Sequence, residues 1–164
     1  MRGSPVVYLA ITVTACGPGA SPKTSMGAGD SAFAGVQARG GVAMGVNQYT
    51  SRHVFEPLPD GGRIALQRDA ADSEGTAQIR SHMHEIARRF AAGDFTLPGF
   101  VHARLVPGTE IMAARRAAIA YAVDTLPRGA ALRIRSGDST AVRAIHEFLA
   151  FQRHDHHAEA HADS

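Results

Sequence analysis

Two rhythms of apolar and polar residues each occur twice between His53 and Gln152. The first has a period of two. Ile64 and Leu66 alternate with polar or small neighbours after Pro59-Asp60-Gly61, and Leu132 and Ile134 do so after Pro127-Arg128-Gly129. Ile119, Tyr121 and Val123 alternate before the second of these turns. Alternation places one set of side chains on one face of a strand, and the Pro/Gly clusters join successive strands as hairpins. The first hairpin is expected from about His53 to Leu58 and from Gly62 to Arg68. Its glycines fit because tight turns use positive φ, which glycine adopts without a Cβ clash.

The second rhythm is helical. Ile79, Met83, Ile86 and Phe90 recur at a spacing that keeps them on one stripe, and Gly93 follows as a stop. Val142, Ile145, Phe148, Leu149 and Gln152 share a face of a second helix, which Asp138 or Ser139 would cap. The two sets form a degenerate repeat. "LPDGGRIAL" at 58–66 matches "LPRGAALRI" at 126–134, Asp72 matches Asp138, Ile79 matches Ile145 and Met83 matches Leu149. Each copy is strand, turn, strand, helix, with one sheet face and one helix stripe to bury. Two copies side by side solve both burial problems. The expected fold class is therefore α+β, two ββα repeats forming a four-stranded antiparallel sheet with two helices packed on one face.

The flanks lack either rhythm. From Gly17 to about Gln48 the chain is mostly Gly, Ala, Ser, Thr and Pro, which reads as a flexible tether reaching roughly 30 Å, and the folded domain is expected over 51–153. The stretch 93–118 between the copies reads as a functional loop, with Thr109 capping a short helix from Glu110 to Ala117. Residues 154–164 form a histidine-rich tail.

The first sixteen residues, "MRGSPVVYLAITVTAC", have a basic residue, an apolar run and then small residues before Cys16. This is the layout of an export signal, and Val13-Thr14-Ala15-Cys16 resembles a bacterial lipobox. The expectation is a lipid on Cys16 that anchors the chain to a membrane, with the rest facing the periplasm. The alternative is a buried first strand carrying an ordinary cysteine. The apolar run is far shorter than the ~20 residues of a membrane span.

Charge adds little. The chain has 17 basic and 15 acidic residues, Lys23 being its only lysine, and no basic stripe interleaved with aromatics, so nucleic acid is not an expected partner. Histidine is the outlier, at nine residues in 164. There is no GxSxG elbow, no HExxH helix and no cysteine beyond Cys16, and nothing pairs Asp94, Glu110 or Glu147 as an acid/base couple. No enzyme activity is expected. Neutral imidazole is a common transition-metal ligand. His82 lies at the edge of the first helix's stripe, His146 flanks the second, and the loop between the copies contributes His102 and Met112. His84 should be solvated, and His53 lies on an edge strand with no specific signal. In the run His154-Asp155-His156-His157, a continued helix would bring His156 to within ~20° of Ile145, on the buried line, unlike His154 and His157.

"IRSHMHEIARRFAAGDF", "PGTEIMAARRAAIAYAVDTLPRG" and "AIHEFLAFQRHDH" together resemble a family of small exported bacterial proteins, often lipoproteins, in which a short domain follows a signal and a low-complexity tether. The resemblance covers about residues 53–157. It implies the domain limits and the envelope location, and it transfers no catalytic residue.

The expected function is a cell-envelope binding module for copper or zinc, with His82, His102, Met112, His146 and His156 as candidate ligands and Irving–Williams ordering favouring Cu(II) over Zn(II) for nitrogen donors. The alternative is a periplasmic module that meets an envelope protein or a small ligand through Phe95, Phe100 or Leu105, its histidines being structural.

Overall fold

The computed structural model describes residues 28–158. The segment read as an export signal, Cys16 and His161 lie outside the described residues.

Both hairpins form where the alternation places them. Strands β1 (Ser51–Leu58) and β2 (Gly61–Arg68) are joined by Pro59-Asp60, and β3 (Ile119–Leu126) and β4 (Gly129–Ser136) by Pro127-Arg128. The sheet is antiparallel throughout, in the order β1-β2-β4-β3. At its centre Ile64 lies opposite Leu132, so equivalent positions of the repeat pair with each other and the two copies are related by an approximate two-fold axis. This pairing explains two glycines. A Cβ on Gly61 would collide with the Ile134 carbonyl, and one on Gly129 with the Leu66 carbonyl, its counterpart across the axis.

Helix α2 (Ser73–Ala91) follows the first hairpin and α5 (Ser139–Asp155) the second. Asp72 accepts from the Gly75 N–H and Asp138 from the Thr140 N–H, so both copies start their helix with the same side-chain cap. The stripes of the two helices close on Ile64, Leu66, Leu132 and Ile134, all buried, along with Ile79, Met83, Phe90, Ile145, Phe148 and Leu149. Both helices cover the same face. Arg52, Glu56, Arg63 and Arg135 alternate onto the other.

The segment expected to be a tether contains a helix, α1 (Ala28–Met44), which packs on α2 and on α3 (Thr96–His102). Arg39 Nε donates to the Val101 carbonyl at 2.7 Å, and Val36 and Gln37 are buried. A small-residue surface lets α1 approach closely: a Cβ on Gly40 would press on the Gln48 side chain at 3.3 Å. The inter-copy segment is also more ordered than expected, folding into α3 and α4 (Thr109–Ala114), with a single 3₁₀ turn at 116–118. Gly108, at φ 81°, takes the cap position expected for Thr109, whose hydroxyl instead donates to the Val106 carbonyl at 2.7 Å. A side chain at Gly108 would strike the Ala144 carbonyl, so α4 begins hard against α5. Helix α5 runs two residues past the expected domain limit, taking His154 and Asp155 out of the tail. Among the described residues no helix is long and apolar enough to cross a membrane.

Candidate functional site: an imidazole-lined cavity

Four separate elements each bring one histidine to a single cavity between the sheet and α1 and α3. The period of two along β1 puts His53 on the same face as buried Phe55. His82 stands one residue before buried Met83 on α2. His102 ends α3, and His156 is the cap residue after α5. All four line the same space, which is walled by Phe55, Ile64, Ile86, Phe90, Leu97, Val101 and Phe148, with Met44, Met83, Gln48 and Gln152 among them. Its volume is about 80 Å³, room for an ion and a few waters but well below the several hundred Å³ of a site for a drug-sized organic ligand.

Three of the four imidazoles touch. The rings of His53 and His156 are 4.8 Å apart centre to centre and nearly stacked, and His102 meets His156 edge-on at 5.2 Å. Phe55 lies under both His53 and His156. His102 is the anchored member. Its Nδ1 is 2.7 Å from Asp155 Oδ2 and its Nε2 is 2.9 Å from the Gln152 amide oxygen, while Arg104 donates to the other Asp155 oxygen at 2.6 Å. An Nδ1–H donated to a carboxylate is the support that metal-ligating imidazoles commonly have, since it fixes the ring and raises its basicity.

Burial disfavours the charged form of these rings. It pushes His53 down to about 4, with a further push from the proton charge that His82 would carry. His82 is lowered by burial, opposed by Glu85 and then assisted by Arg89. His156 falls to about 2, through burial first and then through His53, His102 and His157. The three are therefore neutral imidazoles at neutral pH, the form in which a nitrogen lone pair is free to bind a metal. No carboxylate lines the cavity. Two buried polar atoms on its wall, His156 Nδ1 and Gln48 Oε1, have no hydrogen-bond partner. As the side chains stand, no group of three His, Cys, Asp or Glu among the described residues converges tightly enough to hold an ion.

Of the residues expected from sequence, the fold gathers His82, His102 and His156 and leaves two elsewhere. His146 Nε2 lies 2.9 Å from the Leu58 carbonyl at the end of the first hairpin, and His146 does not line the cavity. Met112 is fully buried in the core and is likewise absent from the cavity wall. A ligand set containing those two is not what this arrangement offers. His154 is exposed and His84 is solvated, as expected, while the His157 ring stacks on Phe33 of α1 at 4.1 Å. His53 is the residue that sequence reasoning passed over. The signal for it was its position two residues before Phe55, on the inward side of an alternating strand.

No protein-family model, no curated protein and no solved structure matches this chain.

Proposed function

We propose that this protein is a metal-binding module of the bacterial cell envelope, carried there by a lipid on Cys16, whose ligands are drawn from His53, His82, His102 and His156. The observation that carries this reading is the convergence of four imidazoles, from β1, α2, α3 and the end of α5, on one small cavity without carboxylates. Buried polar groups are costly unless satisfied, and two on this wall are not. An ion taken up by neutral nitrogens would satisfy His156 Nδ1 and fits the size of the space. His146 and Met112 are outside this ligand set.

Titration calorimetry and elemental analysis of the full purified chain test the reading. Binding of one copper or zinc ion per chain, lost when His53 and His156 are both changed to Gln, is the expected outcome. A chain that takes up no metal and gives no heat refutes it.

A second reading has its own observation. Phe100 and Leu105 are exposed at 50% and 69% beside the end of α3, a place for a partner protein to rest. Phe95 is not part of that surface, because its ring is stacked on Phe90 at 4.4 Å. On this reading Phe100→Ser and Leu105→Ser abolish capture of an envelope partner, and the histidine changes leave it intact.

A further inference from the structure

We infer that the cavity selects a soft monovalent ion, Cu(I), over Zn(II) and Cu(II), with His53 and His156 supplying nitrogen and Met44 or Met83 supplying sulfur. This rests on the metal-binding reading above and narrows it to one ion.

Three observations point the same way. The first is charge. The electrostatic cost of taking an ion out of water grows with the square of its charge, so a divalent ion costs about four times as much to bury as a monovalent one in the same surroundings. Sites for buried divalent ions usually offset this with thiolate or carboxylate ligands. Here the wall is mostly aromatic and aliphatic and holds no carboxylate, and Asp155, which supports His102, is shared with Arg104. An uncharged donor set in an apolar cavity penalises Zn(II) and Cu(II) far more than Cu(I).

Donor type is the second. Met44, at the end of α1, and Met83, next to His82, both line the cavity. Thioether sulfur is a soft donor that favours Cu(I) and adds little for a harder divalent ion.

The third is coordination number. Zinc sites hold four ligands, and three His, Cys, Asp or Glu side chains do not converge here. Cu(I) is satisfied by two nitrogens, or by two nitrogens and a sulfur. With metal–nitrogen distances near 2.0 Å, two imidazoles on one ion have ring centres roughly 5–6 Å apart. His53 and His156 are already 4.8 Å apart centre to centre, so turning the two rings until their in-plane nitrogen lone pairs meet at one point brings both within reach of a single ion. His156 Nδ1, buried without a partner, is the nitrogen this assigns to the metal. His102, with both ring nitrogens engaged, is a positioning residue that meets the His156 ring edge-on.

The test uses the full chain carrying His154→Gln and His161→Gln, which removes tail imidazoles able to bind copper on their own. Under anaerobic reducing conditions the chain competes with a coloured chelator for Cu(I), Ag(I) serves as an air-stable stand-in, and Zn(II) and Cu(II) are titrated separately. The expected result is one Cu(I) per chain, bound at least about a hundredfold more tightly than Zn(II), with a sulfur neighbour of copper in X-ray absorption. Met44→Leu with Met83→Leu conserves volume and should cost Cu(I) about tenfold while leaving any weak Zn(II) binding unchanged. Circular dichroism confirms that this variant folds; if it does not, Met44→Leu alone and the sulfur signal decide the point. Zn(II) or Cu(II) bound as tightly as Cu(I), or copper without sulfur, overturns the inference and leaves the metal-binding reading standing. Failure of every ion to bind overturns both.

Discussion

Where α2 ends over β3, Phe90 meets the Tyr121 ring edge-on at 6.0 Å, with Phe95 stacked beside it; where α5 ends over β1, His156 meets His53 at 4.8 Å, with His102 beside it. The two places are related by the repeat. His156 stands in the second copy where Phe90 stands in the first, and Tyr121 stands where His53 does. At one end the fold closes its helix over its edge strand with Phe90, Phe95 and Tyr121, rings that pack on one another although the Tyr121 hydroxyl is buried without a partner. The other end puts imidazoles in the same positions, and there desolvation drives His53 and His156 well below the usual histidine range. The architecture does not require imidazoles there, since its own other half carries Phe90 and Tyr121 in the equivalent positions. Residues that are less favourable than their counterparts, gathered on one cavity, are where function is to be sought.

The comparison can be broken from either side, and the apolar end should give the largest effect. Phe90→Ala removes a ring that is 2% exposed and in contact with Phe95, Tyr121 and Phe148, and it is expected to cost about 3–5 kcal/mol, read as a lower denaturant midpoint. At the imidazole end the counterpart change, His156→Phe, should be neutral or raise stability by about 1 kcal/mol, because it removes a buried nitrogen that has no partner. Equal losses from the two changes would show that the ends are structurally equivalent.

Acidity separates the ends next. Unfolded histidines take up protons below about pH 6.5, whereas His53 in the fold does so near 4 and His156 near 2. The unfolded state then binds more protons than the folded one, so stability rises with pH across this window. It is complete above pH 6.5 and falls as pH drops toward 4. Denaturant titrations at pH 7 and pH 5 should differ by about 1 kcal/mol or more, and His53→Gln with His156→Gln should flatten that slope. An unchanged slope in the double variant would place the titration elsewhere. The lowered carboxylates, Glu85 at about 2 among them, contribute only at more acid pH.

Much of this was legible in the residue pattern, and the failures have physical causes. The hairpins, the two capped helices and their packing on one face follow from alternation, a 3.6-residue stripe and burial. Helix α1 does not show in the pattern, because its packing surface includes Ala and Gly, whose small size is what permits the approach and whose hydropathy marks no face. Helix α3, Thr96–His102, contains Pro98 and Gly99, which read as loop residues until tertiary contacts hold them. For the site, the helical extrapolation from Ile145 placed His156 correctly on the buried side. His146 lies apart from the cavity because a flank position beside a hairpin end finds a backbone carbonyl to bond. Met112 lies apart from that cavity because a thioether also fills apolar space, and here it packs in the core. No local pattern could indicate that His53, His82, His102 and His156 line one cavity, since the tertiary packing of β1, α2, α3 and the end of α5 brings them together.

The most direct measurement is a Cu(I) competition titration of the full chain carrying His154→Gln and His161→Gln beside the same chain with its imidazole end rebuilt on the pattern of the other end, His53→Tyr with His156→Phe. One tightly bound Cu(I) per chain is expected with His53 and His156 in place, and none in a rebuilt chain that folds at least as stably. Equal Cu(I) binding by the two chains would contradict this expectation.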